Sequence, residues 1–192
     1  MTERPKLGIA LCGSYCTYDK LFAELERLRE SYELVPIVSG TAAVTDTRFG
    51  RAADHLARLE KLCGRRPVTD IVGAEPLGPA ERMDALLIAP CTGNTMAKLA
   101  NGITDSAVTM AAKAHLRNGK PVIVAFSTND ALSGSAPSIA ALLNRKNYYF
   151  VPFRQDDPAN KPRSAASDFG LIGPAVEAAL RGVQLQPILM RY

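Results

Sequence analysis

Short apolar runs alternate along the chain with stretches in which apolar residues recur at helical spacing. That pattern belongs to a parallel sheet covered by helices on both faces. Residues 7–12 form the first apolar run, stopped by Gly13-Ser14, and behind it Leu21, Phe22, Leu25 and Leu28 mark a helix. Asp19 near its start and Arg27 and Arg29 near its end complement the helix dipole. Residues 34–38 read as a second strand and 39–50 as a polar loop. A helix striped by Ala52, Leu56, Leu59 and Cys63 follows, closed by Gly64. Residues 68–72 read as a weak third strand and 84–90 as the strongest buried one. Downstream, a short helix is interrupted at Asn101-Gly102. A second helix, capped by Asp105 or Ser106, runs to about Asn118. Residues 121–126 and 148–153 read as strands with a helix over 138–144 between them. Residues 154–163 read as a polar loop, and 165–181 as a helix broken near Gly170, Gly173 and Pro174. The tail, 183–192, is apolar enough to dock on a neighbour. The expected architecture is α/β: a Rossmann-like, doubly wound parallel sheet in three α/β/α layers, forming a single domain over residues 1–192.

Composition narrows the function classes. In 192 residues, 47% hydrophobic content gives enough material for a sizeable core, and 22% charged content argues against disorder. Lys plus Arg is 23 and Asp plus Glu is 19, a net +4. A charge so small and evenly spread predicts neither nucleic acid nor membrane as a partner. No apolar run approaches the roughly 20 residues of a membrane span. Residues 1–13 lack the pattern of a signal peptide because a Gly-Ser turn follows the apolar stretch. The 4 cysteines have no disulfide-framework spacing. A soluble, cytoplasmic protein is the expectation.

In an open parallel sheet, ligands bind beyond the carboxyl ends of the strands. Gly13 and Ser14 stand at the first such end and open a helix, so they read either as a phosphate turn or as an ordinary turn with an N-cap. No G-x-G-x-x-G follows, and the second strand ends in Ser39-Gly40 with no acidic residue for a ribose, which favours a mononucleotide over a dinucleotide. Ser39, Thr41, Thr45 and Thr47 offer hydroxyls to a sugar chain or a ring edge, or simply form turns. His55 sits on the apolar side of its helix and His115 in a last turn, both read as structural. Two isolated histidines make a zinc site or a Ser-His-Asp triad hard to assemble, so no metal is expected. Cys12, Cys16 and Cys91 read as small packing residues, with thiol chemistry the minority alternative. Arg48, Lys98, Lys113 and Arg154 are candidate carboxylate anchors, with Arg48 ranked first because it follows the second strand.

The most informative segment is Ala89-Pro90-Cys91-Thr92-Gly93-Asn94-Thr95, where a buried strand runs into small and polar residues and then a helix. It resembles the PASANT motif of the homo-oligomeric flavin-containing cysteine decarboxylase superfamily, which binds FMN. Lys98-Leu99-Ala100-Asn101-Gly102-Ile103-Thr104-Asp105 and Gly13-Ser14 also match that superfamily. Five further segments resemble one branch of it, the B-subunit family of dipicolinate synthases, over nearly the whole chain. They are Thr47-Arg48-Phe49-Gly50, Ala74-Glu75-Pro76-Leu77-Gly78-Pro79, Ser127-Thr128-Asn129-Asp130-Ala131-Leu132, Pro152-Phe153-Arg154-Gln155-Asp156-Asp157-Pro158 and Leu185-Gln186-Pro187-Ile188-Leu189.

The resemblance implies a flavoprotein-like domain holding FMN. Gly13 and Ser14 would lie at the phosphate and Ser39 beside the flavin. Pro90, Thr92, Asn94 and Thr95 would serve the ring or ribityl chain, and Asp105 would be the acidic residue of the following motif, although a plain N-cap explains Asp105 equally well. Arg48 and Asn129 are the substrate-binding candidates; no catalytic residue is assigned. The superfamily's decarboxylases carry an active-site His shortly before the PASANT strand, where this chain has Glu75-Pro76. Their downstream recognition segment is reduced to Ser127-Thr128-Asn129-Asp130, and the chain has no Trp. The implied function is therefore oxidation of dihydrodipicolinate to the pyridine dicarboxylate (dipicolinate) during sporulation, together with an A-type partner of the same synthase that carries NADP. The alternatives are an FMN-dependent decarboxylase of a phosphopantothenoylcysteine-like substrate and a non-catalytic stabilising role. A homo-oligomer is also implied.

Overall fold

Strand residues of opposite parity face opposite layers, so a strand covered on both sides must be apolar at every position. The computed structural model, which describes residues 4–191, shows this throughout β3 (Ala85–Cys91) and along β1 (Lys6–Leu11), β2 (Glu33–Val38) and β4 (Val122–Thr128), where the polar residues Lys6, Glu33, Ser127 and Thr128 stand only at strand ends. All seven residues of β3 are buried. Leu7, Ile9, Leu34, Leu87 and Ile123 point into one core layer, against α1 (Tyr18–Ser31), α3 (Ala52–Cys63) and α8 (Ile172–Leu180). Val35, Ile37, Leu86, Ile88, Val124 and Phe126 point into the other, against α5 (Gly93–Asn101), α6 (Ala107–Arg117) and α7 (Ala136–Leu143). The result is the expected single-domain α/β sandwich of three layers.

With β5 (Tyr148–Phe150), the parallel strands lie in the order β2-β1-β3-β4-β5. The carboxyl end of β4 runs beyond this sheet and pairs antiparallel with β7 (Ala165–Ser167), which pairs with β6 (Phe153–Arg154). Register shifts within β3 between Ile88 and Cys91, and the Ala89–Pro90 bond is cis.

Four elements differ from the sequence reading. The loop over 39–50 contains a short helix, α2 (Gly40–Val44), capped by Ser39, whose Oγ accepts from the Ala42 N–H at 3.3 Å. Residues 68–72 do not form a strand. Val68 alone bridges Ile37, covering the outer edge of β2, and Asp70 then caps α4 (Ile71–Ala74). Residues 148–153 split into β5 and β6. Residues 165–167 are a strand, not the start of the last helix: small Ala165 and Ala166 fit against Thr128 and Ser127, and this tertiary pairing overrides their helical preference. Asp168 then caps a 3-10 turn, Phe169–Leu171, before α8. The tail docks on its own chain: Met190 N–H donates to the Phe153 carbonyl and Phe153 N–H to that of Ile188, both at 3.0 Å. Tyr192 and residues 1–3 lie outside the described residues. None of the described helices is long and apolar enough to cross a membrane.

Between the two capping candidates, Ser106 caps α6, in a reciprocal capping box with Thr109. At the other end of α6, His115 is 1% exposed, with Nε2 3.0 Å from the Pro121 carbonyl oxygen. Desolvation outweighs that bond and pulls the imidazole down from 6.5 to about 4. The unfolded chain therefore takes up a proton that the fold refuses between those two values. Stability is full above about pH 6.5 and falls as pH drops toward 4, by up to about 3 kcal/mol. Urea midpoints measured across that window are expected to show this slope in the wild type and to lose most of it in His115→Gln. An unchanged slope would place the titrating group elsewhere.

Candidate functional site

The strand order reverses at β1. The chain passes from β1 to β2 on one side and reaches β3 on the other, so connections diverge between the carboxyl ends of β1 and β3. In a sheet of this order that divergence leaves a crevice, the usual seat of a nucleotide. The residues around it are Cys12-Gly13-Ser14 after β1, Ser39 after β2 and Thr92-Gly93-Asn94-Thr95 after β3.

These turns touch. A Cβ built on Gly13 would lie 3.2 Å from the Thr92 methyl, so the absence of a side chain lets the two turns close up. Cys12 is buried between them, where polar groups of Thr95, Thr92 and Ser39 partly offset the effect of burial on its thiol. Ser14 adopts φ 65°, ψ 46°, the left-handed region, and its Oγ donates to the Ser127 carbonyl at 2.8 Å, over the end of β3. Thr17 Oγ1 donates to the Ser14 carbonyl at 2.8 Å, and the Tyr18 hydroxyl to that of Cys12 at 2.7 Å. Thr92 caps α5: its Oγ1 accepts from Thr95 N–H at 3.2 Å and meets Thr95 Oγ1 at 3.0 Å. Asn94 is exposed in the first turn of α5, and Pro90 is buried within β3.

The cluster is uncharged. Burial pushes the Cys12 thiol up to about 11 and the Cys91 thiol well above its ordinary value, so both stay protonated at neutral pH. What the turns offer is hydroxyls, one amide and the helix-opening N–H groups of α5, a set suited to a polyol and a phosphate.

A carboxylate that the sequence reading passed over borders it. Asp130 accepts from Thr128 Oγ1 at 2.5 Å and from Ser135 Oγ at 2.7 Å, bonds that hold its carboxyl below the usual range. Gly93 packs directly on this group. The only hint in the sequence was the Ser127–Leu132 segment, because the approach to Gly93 depends on β3 and β4 being neighbours. Asn129 is exposed on the same rim.

Other candidates lie apart. Arg48 is exposed, its guanidinium 4.9 Å from the Phe49 ring centre. Asp105 is past the far end of α5, about 13 Å of helix from Thr92. Lys98 bonds both its oxygens, at 2.9 and 2.7 Å, and this pairing holds the carboxyl below its usual range. Lys113 lines a separate cavity of about 240 Å³ beside Arg145 and Tyr148. Glu75-Pro76 forms a 3-10 turn that packs toward α6. His55 stands edge-on to Tyr18, ring centres 4.8 Å apart, its Nε2 buried without a hydrogen bond. Among the described residues no group of three His, Cys, Asp or Glu side chains could hold a metal. A cavity of about 460 Å³ lies beyond the Ser14 turn, between α1 and the β6–β7 extension.

Comparison with known proteins agrees with this architecture. The Flavoprotein family model matches residues 1–142. The dipicolinate synthase B subunit of Bacillus subtilis (strain 168) is 46% identical over 186 residues, covering 96% of this chain and 93% of that one. A crystal structure of the dipicolinate synthase B subunit from Bacillus halodurans is 43% identical and superposes with a TM-score of 0.90, covering 100% of this chain and 99% of that one. The FMN-dependent cysteine decarboxylase SpaF shares the fold at 22% identity, with a TM-score of 0.68 over 92% of this chain and 95% of that one.

The contact beneath α5 yields a prediction. A methyl group at Gly93 would collide with Ser135 Oγ and stand 3.0 Å from Thr128 Oγ1 and 3.2 Å from Asp130 Oδ1. Gly93→Ala is expected to destabilise the fold by about 1–3 kcal/mol in urea unfolding. Wild-type stability in that variant would show that the Asp130 group yields freely.

Proposed function

The chain belongs to the Flavoprotein family, together with the B subunits of dipicolinate synthases, and from that membership we propose that it is the B-type component of a dipicolinate synthase. In this reading it works in the cytoplasm during sporulation with an A-type partner that carries NADP, and the pair oxidises dihydrodipicolinate to pyridine-2,6-dicarboxylate. The observation that carries the reading is the convergence of the Gly13-Ser14 turn and the Thr92–Thr95 cap at the strand-order reversal, in a chain 46% identical to a protein of that name.

The donor set fits FMN. The left-handed Ser14 turn and the N–H groups opening α5 suit a phosphate, while Ser39, Thr92, Asn94 and Thr95 suit the ribityl chain and ring edge. Pro90 shapes the end of β3 beneath them, and Asp105, already paired with Lys98, has the role of fixing the α5–α6 connection. When bound, the flavin supplies two-electron acceptor chemistry, the kind that aromatisation of a dihydropyridine requires.

This chain's residues contribute position and exclusion of water. The protonated thiols of Cys12 and Cys91 and the doubly hydrogen-bonded Asp130 carboxylate are poor proton acceptors at neutral pH, so the cluster binds and orients. Arg48 and Asn129, exposed, are proposed to meet the substrate as it enters. A homo-oligomer is part of this reading, and it would cover apolar side chains such as Val44 and Val72, 78% and 79% exposed.

Purified full-length chain titrated with FMN is expected to give a flavin spectrum between 350 and 500 nm that is perturbed from free FMN. Gly13→Val, which crowds Thr92, is expected to weaken binding about tenfold or more. A colourless protein that leaves the spectrum of added FMN unchanged would remove flavin from the proposal. Absence of synthase activity on reconstitution with the A-type partner would remove the synthase assignment.

A further inference from the structure

The 460 Å³ cavity is of the size that holds a small ligand. Thr17, Lys20 and Glu24 form one wall, and Arg154, Asp156 and Asp168 are among the residues lining the rest. Two of its three carboxylates have cationic partners, and the third, Asp168, is held by a backbone N–H alone. Glu24 accepts from Arg27 at 2.7 Å, Asp156 stands 3.9 Å from Lys161, and Asp168 accepts from Gly170 N–H at 3.0 Å. The two cations have none: no ion pair among the described residues involves Lys20 or Arg154. With Glu24 and Asp156 paired, two unpaired cations face one carboxylate without a cation, an excess of positive charge suited to an anionic ligand that can engage both Lys20 and Arg154.

The cavity also abuts the nucleotide turn. Thr17, which lines it, donates to the Ser14 carbonyl. The Ser14 hydroxyl donates to Ser127, whose strand partner Ala166 lines it too. A ligand held there lies beside the turn that would carry the flavin phosphate. Among the four anchors weighed from sequence, Lys98 is taken by Asp105 and Lys113 faces another cavity, while Arg48 stands in neither. Arg154 is the one that lines this cavity, and Lys20 is the residue the sequence did not single out.

We propose that this cavity is a binding site for a small planar dicarboxylate, with Arg154 holding one carboxylate and Lys20 the other. The inference rests on the synthase reading for the identity of the diacid, but its geometry stands independently of FMN.

Isothermal titration of the full-length chain with pyridine-2,6-dicarboxylate and with the monoacid pyridine-2-carboxylate, in metal-free buffer, tests it. The diacid is expected to bind, and the monoacid to bind at least about tenfold more weakly. Lys20→Gln and Arg154→Gln are each expected to weaken the diacid by about tenfold or more, whereas Arg66→Gln, an exposed charge elsewhere, leaves it unchanged. Diacid affinity unaffected by both cavity variants, equal affinity for monoacid and diacid, or no heat of binding would each overturn the proposal. Synthase activity reconstituted with the A-type partner is read separately: if it persists while the diacid ignores Lys20 and Arg154, the function stands and this site falls.

Discussion

The approach of two turns at the reversal of strand order is the constraint on which the rest of the molecule depends. Gly13 lies so close to Thr92 that a Cβ would stand 3.2 Å from its methyl, and Cys12, small and weakly polar, is buried with them. That closeness brings Ser14 to the Ser127 carbonyl, across the end of β3, and so joins three strand ends into one surface. Apart from Asp130 on its border, the surface carries no charge. Its polarity comes from hydroxyls and from N–H groups at the start of a helix, which can receive an anion without a cation in place.

Charge has been placed elsewhere. Lys98 and Asp105 close the α5–α6 connection, Arg65 and Glu81 pair on the opposite edge, and Arg145 satisfies the Leu99 and Ala100 carbonyls at the end of α5. These contacts fix helices from outside the crevice. Lys20 and Arg154 are exceptions: two cations facing one cavity next to the crevice, without anionic partners. Neutral turn and charged cavity together divide the labour expected of a cofactor seat and a diacid seat.

Much of the fold was legible because covered parallel strands admit no polar positions, so runs such as Ala85–Cys91 stand out from their surroundings. The candidate site is placed for a related reason: a topological rule puts ligands after these strands, and Gly13, Ser14 and Thr92 are the residues found there. What escaped the reading depends on pairings that no local pattern encodes. Ala165 and Ala166 have helical preferences and form a strand because the overhanging end of β4 offers Ser127 and Thr128 as partners. Val68 makes a single bridge to β2, an edge strand in which Pro36 has no N–H to offer a further strand. Nothing in the sequence sets Lys20 apart from other charged helix residues; the β6–β7 extension opposite it is what makes it part of a cavity wall.

A crystal structure of the full-length chain grown with FMN tests the central claim most directly. The account predicts the phosphate against the backbone of Gly13 and Ser14, with Thr92 and Thr95 alongside the ribityl chain and the Ser14–Ser127 contact kept. Flavin bound with its phosphate away from the Gly13-Ser14 turn, whether beside Arg154 or on another surface, would contradict it.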